Sequence, residues 1–129
     1  MANILIIDDN YDFRKLFREV LEQSGYDVYE AGDGEEGISA YKDNNIDLVI
    51  TDMIMPKKEG LETMIELRRD FPLVKIIAMS GDGFEAPMNY LDGAKLLGGA
   101  TRAFIKPFSM EDMLEAIGEV LSEKPGEGE

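Results

Sequence analysis

Cysteine and histidine are both missing from this 129-residue chain. Without cysteine there can be no disulfide scaffold and no thiolate zinc site. Without histidine there is no imidazole base, no histidine metal ligand and no phosphohistidine on this chain. Long apolar runs are missing too, since none approaches the roughly 18 residues that a membrane span needs. The opening MANILIID has no basic stretch before its apolar residues, so it does not read as a secretory signal. Basic residues are scarce: 13 stand against 27 acids, for a formal charge of -14. A surface that acidic repels phosphate backbones, which argues against nucleic-acid binding by this chain alone. A cytoplasmic protein with no membrane partner is the resulting expectation.

What is present is ordinary for a folded domain. Hydrophobic residues make up 44% of the chain, well above the level of disordered sequences. A domain of this length buries roughly two-thirds of the surface its unfolded chain exposes, enough to fold without a staple. The acid excess has a bland reading, solubility, and a sharper one, carboxylates converging on a divalent cation.

Strand and helix patterns alternate five times. Asn3–Asp8 is a near-continuous apolar run, as expected of a strand buried on both faces of a parallel sheet. Phe13, Leu16, Phe17, Val20 and Leu21 follow at helical spacing, with Gly25 as a stop signal. Asp27–Ala31 reads as a second strand, and Asp33 with Glu36 has capping-box spacing for a helix through about Asp43. Asp47–Asp52 is expected as the third strand. Leu61, Met64, Ile65 and Arg68 mark a third helix ending near Phe71-Pro72. Val74–Met79 and Thr101–Lys106 are the fourth and fifth strands. Gly93, Gly98 and Gly99 weaken the helix expected between Ala86 and Leu97. Ser109 is placed to cap a last helix, with Met110, Met113, Leu114, Ile117 and Leu121 on one face. The expected division is one domain over 1–122 and a disordered tail over 123–129.

Strict alternation argues for an α/β fold, a parallel sheet covered by helices on both faces. Five units are too few for an eight-stranded barrel, so an open, doubly wound sheet is expected. Ligands of such sheets bind beyond the carboxyl ends of the strands. Those ends carry Asp8 and Asp9 after the first strand, Asp52 after the third, Ser80 after the fourth and Lys106 after the fifth. Each alone has a bland reading as a cap, a turn former or a solvated end. Five together at one edge do not.

Two carboxylates about 4 Å apart repel by about 4 kcal/mol at an effective dielectric near 20, so three are strained unless a cation sits among them or protons are taken up. Hard oxygen ligands without sulfur or nitrogen point to Mg²⁺, Mn²⁺ or Ca²⁺, and a sparse site completed by water and phosphate suits Mg²⁺. A lysine and a hydroxyl around such a site suggest phosphoryl transfer, with Asp52, central in the sheet, as the nucleophile.

With these residues in place, the sequence resembles the response-regulator receiver family of two-component signalling. The likeness runs from Asn3 to about Leu121. It is carried by ILIIDDN at 4–10, GYDVYEAGDGEEGI at 25–38, DLVITDMIMPKKEG at 47–60, IIAMSGDG at 76–83 and FIKPFSMEDM at 104–113. The resemblance implies a flavodoxin-like fold with five helices and the sheet order 2-1-3-4-5. It implies that Asp52 is the phosphoacceptor, that Asp9 binds Mg²⁺ directly and Asp8 mainly through water, and that the carbonyl of Ile54 is a further ligand. Ser80 and Lys106 would contact the phosphoryl group, Gly81 would leave room for it, and the Lys106-Pro107 peptide would be cis. The donor would be a phosphohistidine on a histidine kinase or phosphotransfer protein, or acetyl phosphate.

Two positions depart from the family pattern. Where members carry a Tyr or Phe three residues before the lysine this chain has Ala103, and strand alternation turns Phe104 to the other face. Ser80 and Lys106 are also 26 positions apart, a few more than is usual, with the extra residues expected around Gly83–Tyr90. No effector pattern follows the last helix. Output is therefore expected through a downstream effector protein or a phosphorylation-dependent homodimer, unless the chain is one piece of a longer regulator.

Three other readings compete with a phosphorylation switch. A haloacid-dehalogenase-like phosphatase would want a second Asp two residues after the nucleophile, where Ile54 stands. A flavodoxin-like cofactor binder would want a Ser/Thr/Gly-rich loop after the first strand, where DDNYD is acidic. A receiver-like module that binds a partner without phosphate rests on Ala103 alone.

Overall fold

The computed structural model describes residues 2–53, 60–80 and 101–123; of Ser80 it describes the backbone. Five strands, β1 Asn3–Ile7, β2 Asp27–Ala31, β3 Leu48–Asp52, β4 Ile76–Ser80 and β5 Arg102–Ile105, form one parallel sheet in the order β2-β1-β3-β4-β5. Four helices stand among the described residues: α1 Tyr11–Gln23, α2 Gly34–Asp43, α3 Gly60–Asp70 and α4 Met110–Ser122. This is the flavodoxin-like, doubly wound architecture. The helix expected between Ala86 and Leu97, the extra residues around Gly83–Tyr90, Ile54 and Gly81 lie outside the described residues.

The period of two along each strand sorts the core into two layers. Leu5 and Ile7, Val49, and Ile76 and Ala78 pack on one face with Ile38 of α2 and Met64 and Leu67 of α3. Ile4 and Ile6, Leu48 and Ile50, and Ile77 and Met79 pack on the other with Phe17 and Leu21 of α1 and Met113, Ile117 and Val120 of α4. Because both faces are covered, β3 is buried along its whole length, which is why LVITD reads as a run and not an alternation.

The helix ends follow their capping chemistry. Asn10 Oδ1 accepts from Phe13 N at 3.0 Å, Asp33 Oδ1 from Glu36 N at 2.9 Å, and Ser109 Oγ from Asp112 N at 3.2 Å. Gly25, with φ of 96°, takes the left-handed conformation that lets the chain leave α1.

Some details differ from the sequence expectation. Leu16 and Ile65 were expected on apolar helix faces but are 57% and 43% exposed, because the stripes that face the sheet run through Phe17 and Leu21 and through Thr63, Met64 and Leu67. β2 matches its expected run, β1, β3 and β5 are trimmed by one residue at one or both ends, and β4 begins two residues later and ends one residue later than expected. Asp8 and Lys106 thus stand just beyond the ladder, free to turn into the site.

Candidate functional site

The ladder register builds the site. Ile7 pairs with Thr51, so the next residues, Asp8 and Asp52, emerge side by side at the carboxyl edge. Ser80 ends β4 opposite Ile105, which brings the backbone of Ser80 to the same edge one strand further on. Lys106 follows Ile105 directly, and its peptide bond to Pro107 is cis, as the resemblance implied.

Ligand oxygens of Asp8, Asp9 and Asp52 all lie within 4.8 Å of one another. Asp8 and Asp52 are buried, while Asp9 is exposed and gives the cluster its opening to solvent. Lys106 Nζ sits 2.5 Å from Asp8 Oδ2 and 3.6 Å from Asp52 Oδ2, with only 10% of the side chain exposed. The lysine was expected to await a phosphate oxygen; in this structure it is paired with Asp8. Asp8 is tied down on three more sides. Its Oδ1 accepts from Asn10 N at 2.9 Å, its carbonyl from Arg14 Nη1 at 2.5 Å, and its N–H donates to Ala31 O at 3.1 Å.

Asp52 is positioned from behind by its backbone. Thr51 Oγ1 donates to the Asp52 carbonyl at 3.0 Å, and Gly60 N donates to Met53 O at 2.8 Å. That bond draws the start of α3 so close that a Cβ at position 60 would strike the Asp52 carbonyl oxygen and come within 2.6 Å of Met53 Cα. Gly60 is required by this approach.

The sequence reading thus found the three carboxylates and the lysine that the structure brings together. It missed the residues that orient them. Asn10, the cap of α1, and Arg14 were not singled out, and Phe13, whose ring lies under the Lys106 ammonium at 4.0 Å, was read only as part of a helical spacing. Also missed was Glu30 on β2, which takes Arg14 at 2.8 Å, Lys15 at 2.9 Å and Arg18 at 2.7 Å. Burial pushes the Glu30 carboxyl up, but hydrogen bonds from Arg18, Lys15 and Arg14 outweigh it and lower it from 4.5 to about 2. The one available signal was three cations within five positions of α1; their shared partner comes only from the docking of α1 on β2.

The donor set fits a divalent metal. It is all carboxylate oxygen, it opens to solvent through Asp9, and three negative charges against one ammonium leave about two to be neutralised. A cavity of about 420 Å³ opens over it, lined by Asp9, Asp52 and Lys106 together with Phe13, Pro107, Phe108 and Met110. A larger cavity of about 540 Å³ at the opposite edge of the sheet has no such cluster among its described residues. Its Asp47 accepts from Asn3 N, and its Lys75 is spent on the carbonyls of Leu121 and Glu123.

Fold and site together define a doubly wound α/β domain with an acidic, lysine-closed pocket at the carboxyl edge of its sheet. The chain belongs to the response regulator receiver domain family, whose sequence profile matches residues 4–118. It is 33% identical over 119 residues to the chemotaxis protein CheY of Halobacterium salinarum, covering 92% of this chain and 96% of that one. It is 33% identical over 121 residues to the transcriptional regulatory protein CpxR of Escherichia coli, covering 94% of this chain and 50% of that one. The chain spans about half the length of CpxR and of several other curated regulators it matches. Among solved structures, response regulator protein TrrA from Thermotoga maritima in complex with Mg(2+)-BeF superposes with a TM-score of 0.80 at 29% identity, over 93% of this chain and 99% of that one. The chain is thus a receiver domain of two-component signalling, a switch domain in class, with its acid cluster where the family is phosphorylated. Among the described residues no helix is long and apolar enough to cross a membrane.

Proposed function

We propose that Asp52 accepts a phosphoryl group, with Mg²⁺ held beside it, and that this switches a partner-binding surface. One observation carries the reading: three carboxylates converge within 4.8 Å while the Lys106 ammonium stands 3.6 Å from Asp52. A carboxylate oxygen of Asp52 attacks phosphorus, and the bond from phosphorus to the donor breaks. The donor leaves as a histidine side chain of a kinase or phosphotransfer protein, or as acetate from acetyl phosphate. Lys106 exchanges part of its hold on Asp8 for a phosphoryl oxygen, so its charge follows the charge that arrives. Asp8, Asp9, Asp52 and the carbonyl of Ile54 would hold Mg²⁺, Asp9 directly and Asp8 mainly through water; when bound, the ion neutralises and orients the phosphoryl oxygens. The Ser80 hydroxyl would meet the same group, with Gly81 leaving it room. The TrrA complex with Mg(2+)-BeF supports magnesium as the metal.

In this reading residues 1–122 are the receiver unit and 123–129 a tail. The phosphoryl group biases an existing equilibrium of the surface around the last strand and last helix, which engages an effector protein or a second copy of the chain. The unit is cytoplasmic, turns over no external substrate and touches neither nucleic acid nor membrane by itself. A second reading, a partner-binding module that needs no phosphate, is favoured by Ala103, whose methyl packs in the α2–α3 layer where no aromatic ring can swing.

Intact mass after incubation with acetyl phosphate, with Mg²⁺ or with EDTA, separates the two. One added phosphoryl group is expected with Mg²⁺, none with EDTA, and none in a folded Asp52→Asn variant. Equal labelling of Asp52→Asn would place the acceptor elsewhere.

A further inference from the structure

We infer that Phe13 is a positioning residue for Lys106, holding the ammonium over the acceptor by the face of its ring. The inference rests on the reading of Asp52 as the phosphoacceptor. Lys106 Nζ lies 4.0 Å from the centroid of the Phe13 ring, well inside the range in which a cation is drawn to an aromatic face. The same ammonium also lies 2.5 Å from Asp8 Oδ2 and 3.6 Å from Asp52 Oδ2, and its side chain is only 10% exposed. That desolvation is what makes a ring face worth more to a cation than it is at an exposed surface.

The ring itself cannot drift. Its residue stands in the first turn of α1, where its N–H donates to the Asn10 cap. Phe17 lies beside it at 5.6 Å, and Phe108, two residues after the lysine, meets it edge-on at 6.0 Å and 88°. Phe108 is backed in turn by Phe104 of β5 at 5.5 Å. A ring also suits the task chemically. Lysine is a point charge on a flexible four-carbon stem, which needs something to fix it. A third carboxylate would do so by competing with the phosphoryl oxygen for the same donors. A ring face attracts the charge without a lone pair to compete, leaving the N–H groups free to transfer from Asp8 to the incoming group.

The plain alternative is that Phe13 merely fills the core between α1 and β5. Initial rates of phosphorylation by acetyl phosphate with Mg²⁺ distinguish the two, for wild type, Phe13→Leu, Phe13→Tyr, Lys106→Met and the Phe13→Leu/Lys106→Met double variant. Phe13→Leu is expected to be slower by about tenfold, and Phe13→Tyr, which keeps the ring, to recover most of that loss. The double variant is expected to be no slower than Lys106→Met alone, because the ring acts only through the lysine. Equal rates in wild type and Phe13→Leu, or a fully additive double variant, would overturn the inference and leave Asp52 in place. A wild type that takes no phosphoryl group would instead overturn the reading of Asp52. The contact is read separately, without any donor, from the proton spectrum. Ring current is expected to move the Lys106 ε-methylene protons upfield of those of the other lysines. Resonances at the ordinary lysine position would overturn the inference whatever the rates.

Discussion

Replacing Lys106 with methionine should strengthen Mg²⁺ binding while weakening the metal-free fold. Methionine keeps most of the apolar stem that lies along Phe13 and removes the charge. In wild type the ammonium donates to Asp8 Oδ2 at 2.5 Å, and the Asp8 carboxylate belongs to the same 4.8 Å cluster a cation would use. A cation arriving there must weaken that bond, and a charge-assisted hydrogen bond of this kind is worth about 1.5–3 kcal/mol net. Because the contact is only part of what the cation displaces, the lower end applies. The expected gain is about tenfold in Mg²⁺ affinity, read by titration calorimetry. Without metal the effect reverses. Asp8 is fully buried, and losing its cation leaves a carboxylate beside two others, so unfolding in urea with EDTA should show a loss of about 1–3 kcal/mol. Adding Mg²⁺ at a hundredfold excess over its Kd should then restore about 2.7 kcal/mol. Unchanged or weaker Mg²⁺ binding in Lys106→Met would refute the idea that lysine and metal compete for Asp8.

Two further substitutions test the scaffold under the site. Gly60→Ala puts a methyl against the Asp52 carbonyl and within 2.6 Å of Met53 Cα, both backbone atoms that cannot rotate away. It should cost about 2–3 kcal/mol in urea unfolding and weaken Mg²⁺ binding with it; a stability within about 0.5 kcal/mol of wild type would contradict the close approach. Glu30→Gln removes the partner of three cations. Since the folded carboxyl lies at about 2, below its ordinary 4.5, the stability it contributes is present above pH 4.5 and fades as pH falls toward 2. Lys15 and Arg18 are 45% and 37% exposed, so solvent screening reduces the expected loss to about 1–2 kcal/mol at pH 7. The gap between variant and wild type should narrow steadily between pH 4.5 and pH 3; a gap that widens there would contradict the pairing.

What the sequence disclosed, and what it did not, divides along physical lines. Strands buried on both faces leave runs that are hard to miss, and the residues that break those runs, Asp8, Asp52 and Lys106, are the ones the sheet delivers to one edge. Caps are local, so Asp33, Ser109 and Gly25 were readable within a few residues. Contacts across the fold were not. Nothing near Lys106 in the chain says that its nearest carboxylate is Asp8, 98 positions away, and nothing near Glu30 says that three cations of α1 will meet it. Helix faces failed in a related way at Leu16 and Ile65. Apolar spacing gives the width of a stripe, but the neighbouring element decides which edge of that stripe is covered.

The strand period also bears on how a change at Asp52 could be felt elsewhere. Ala103 pairs with Ala78 and packs in the α2–α3 layer, so two methyl groups face each other where neither has a rotamer to change. Phe104, one residue on, belongs to the α1–α4 layer. There the ring contacts run from Phe104 to Phe108 to Phe13, and from Phe13 to the ammonium of Lys106. Lys106 reaches both Asp52, at 3.6 Å, and this row of rings, at 4.0 Å from the Phe13 centroid. A displacement of Lys106 toward a group on Asp52 therefore bears first on the α1–α4 side of the sheet. Position 103, which carries the moving ring elsewhere in the family, has here nothing that can move.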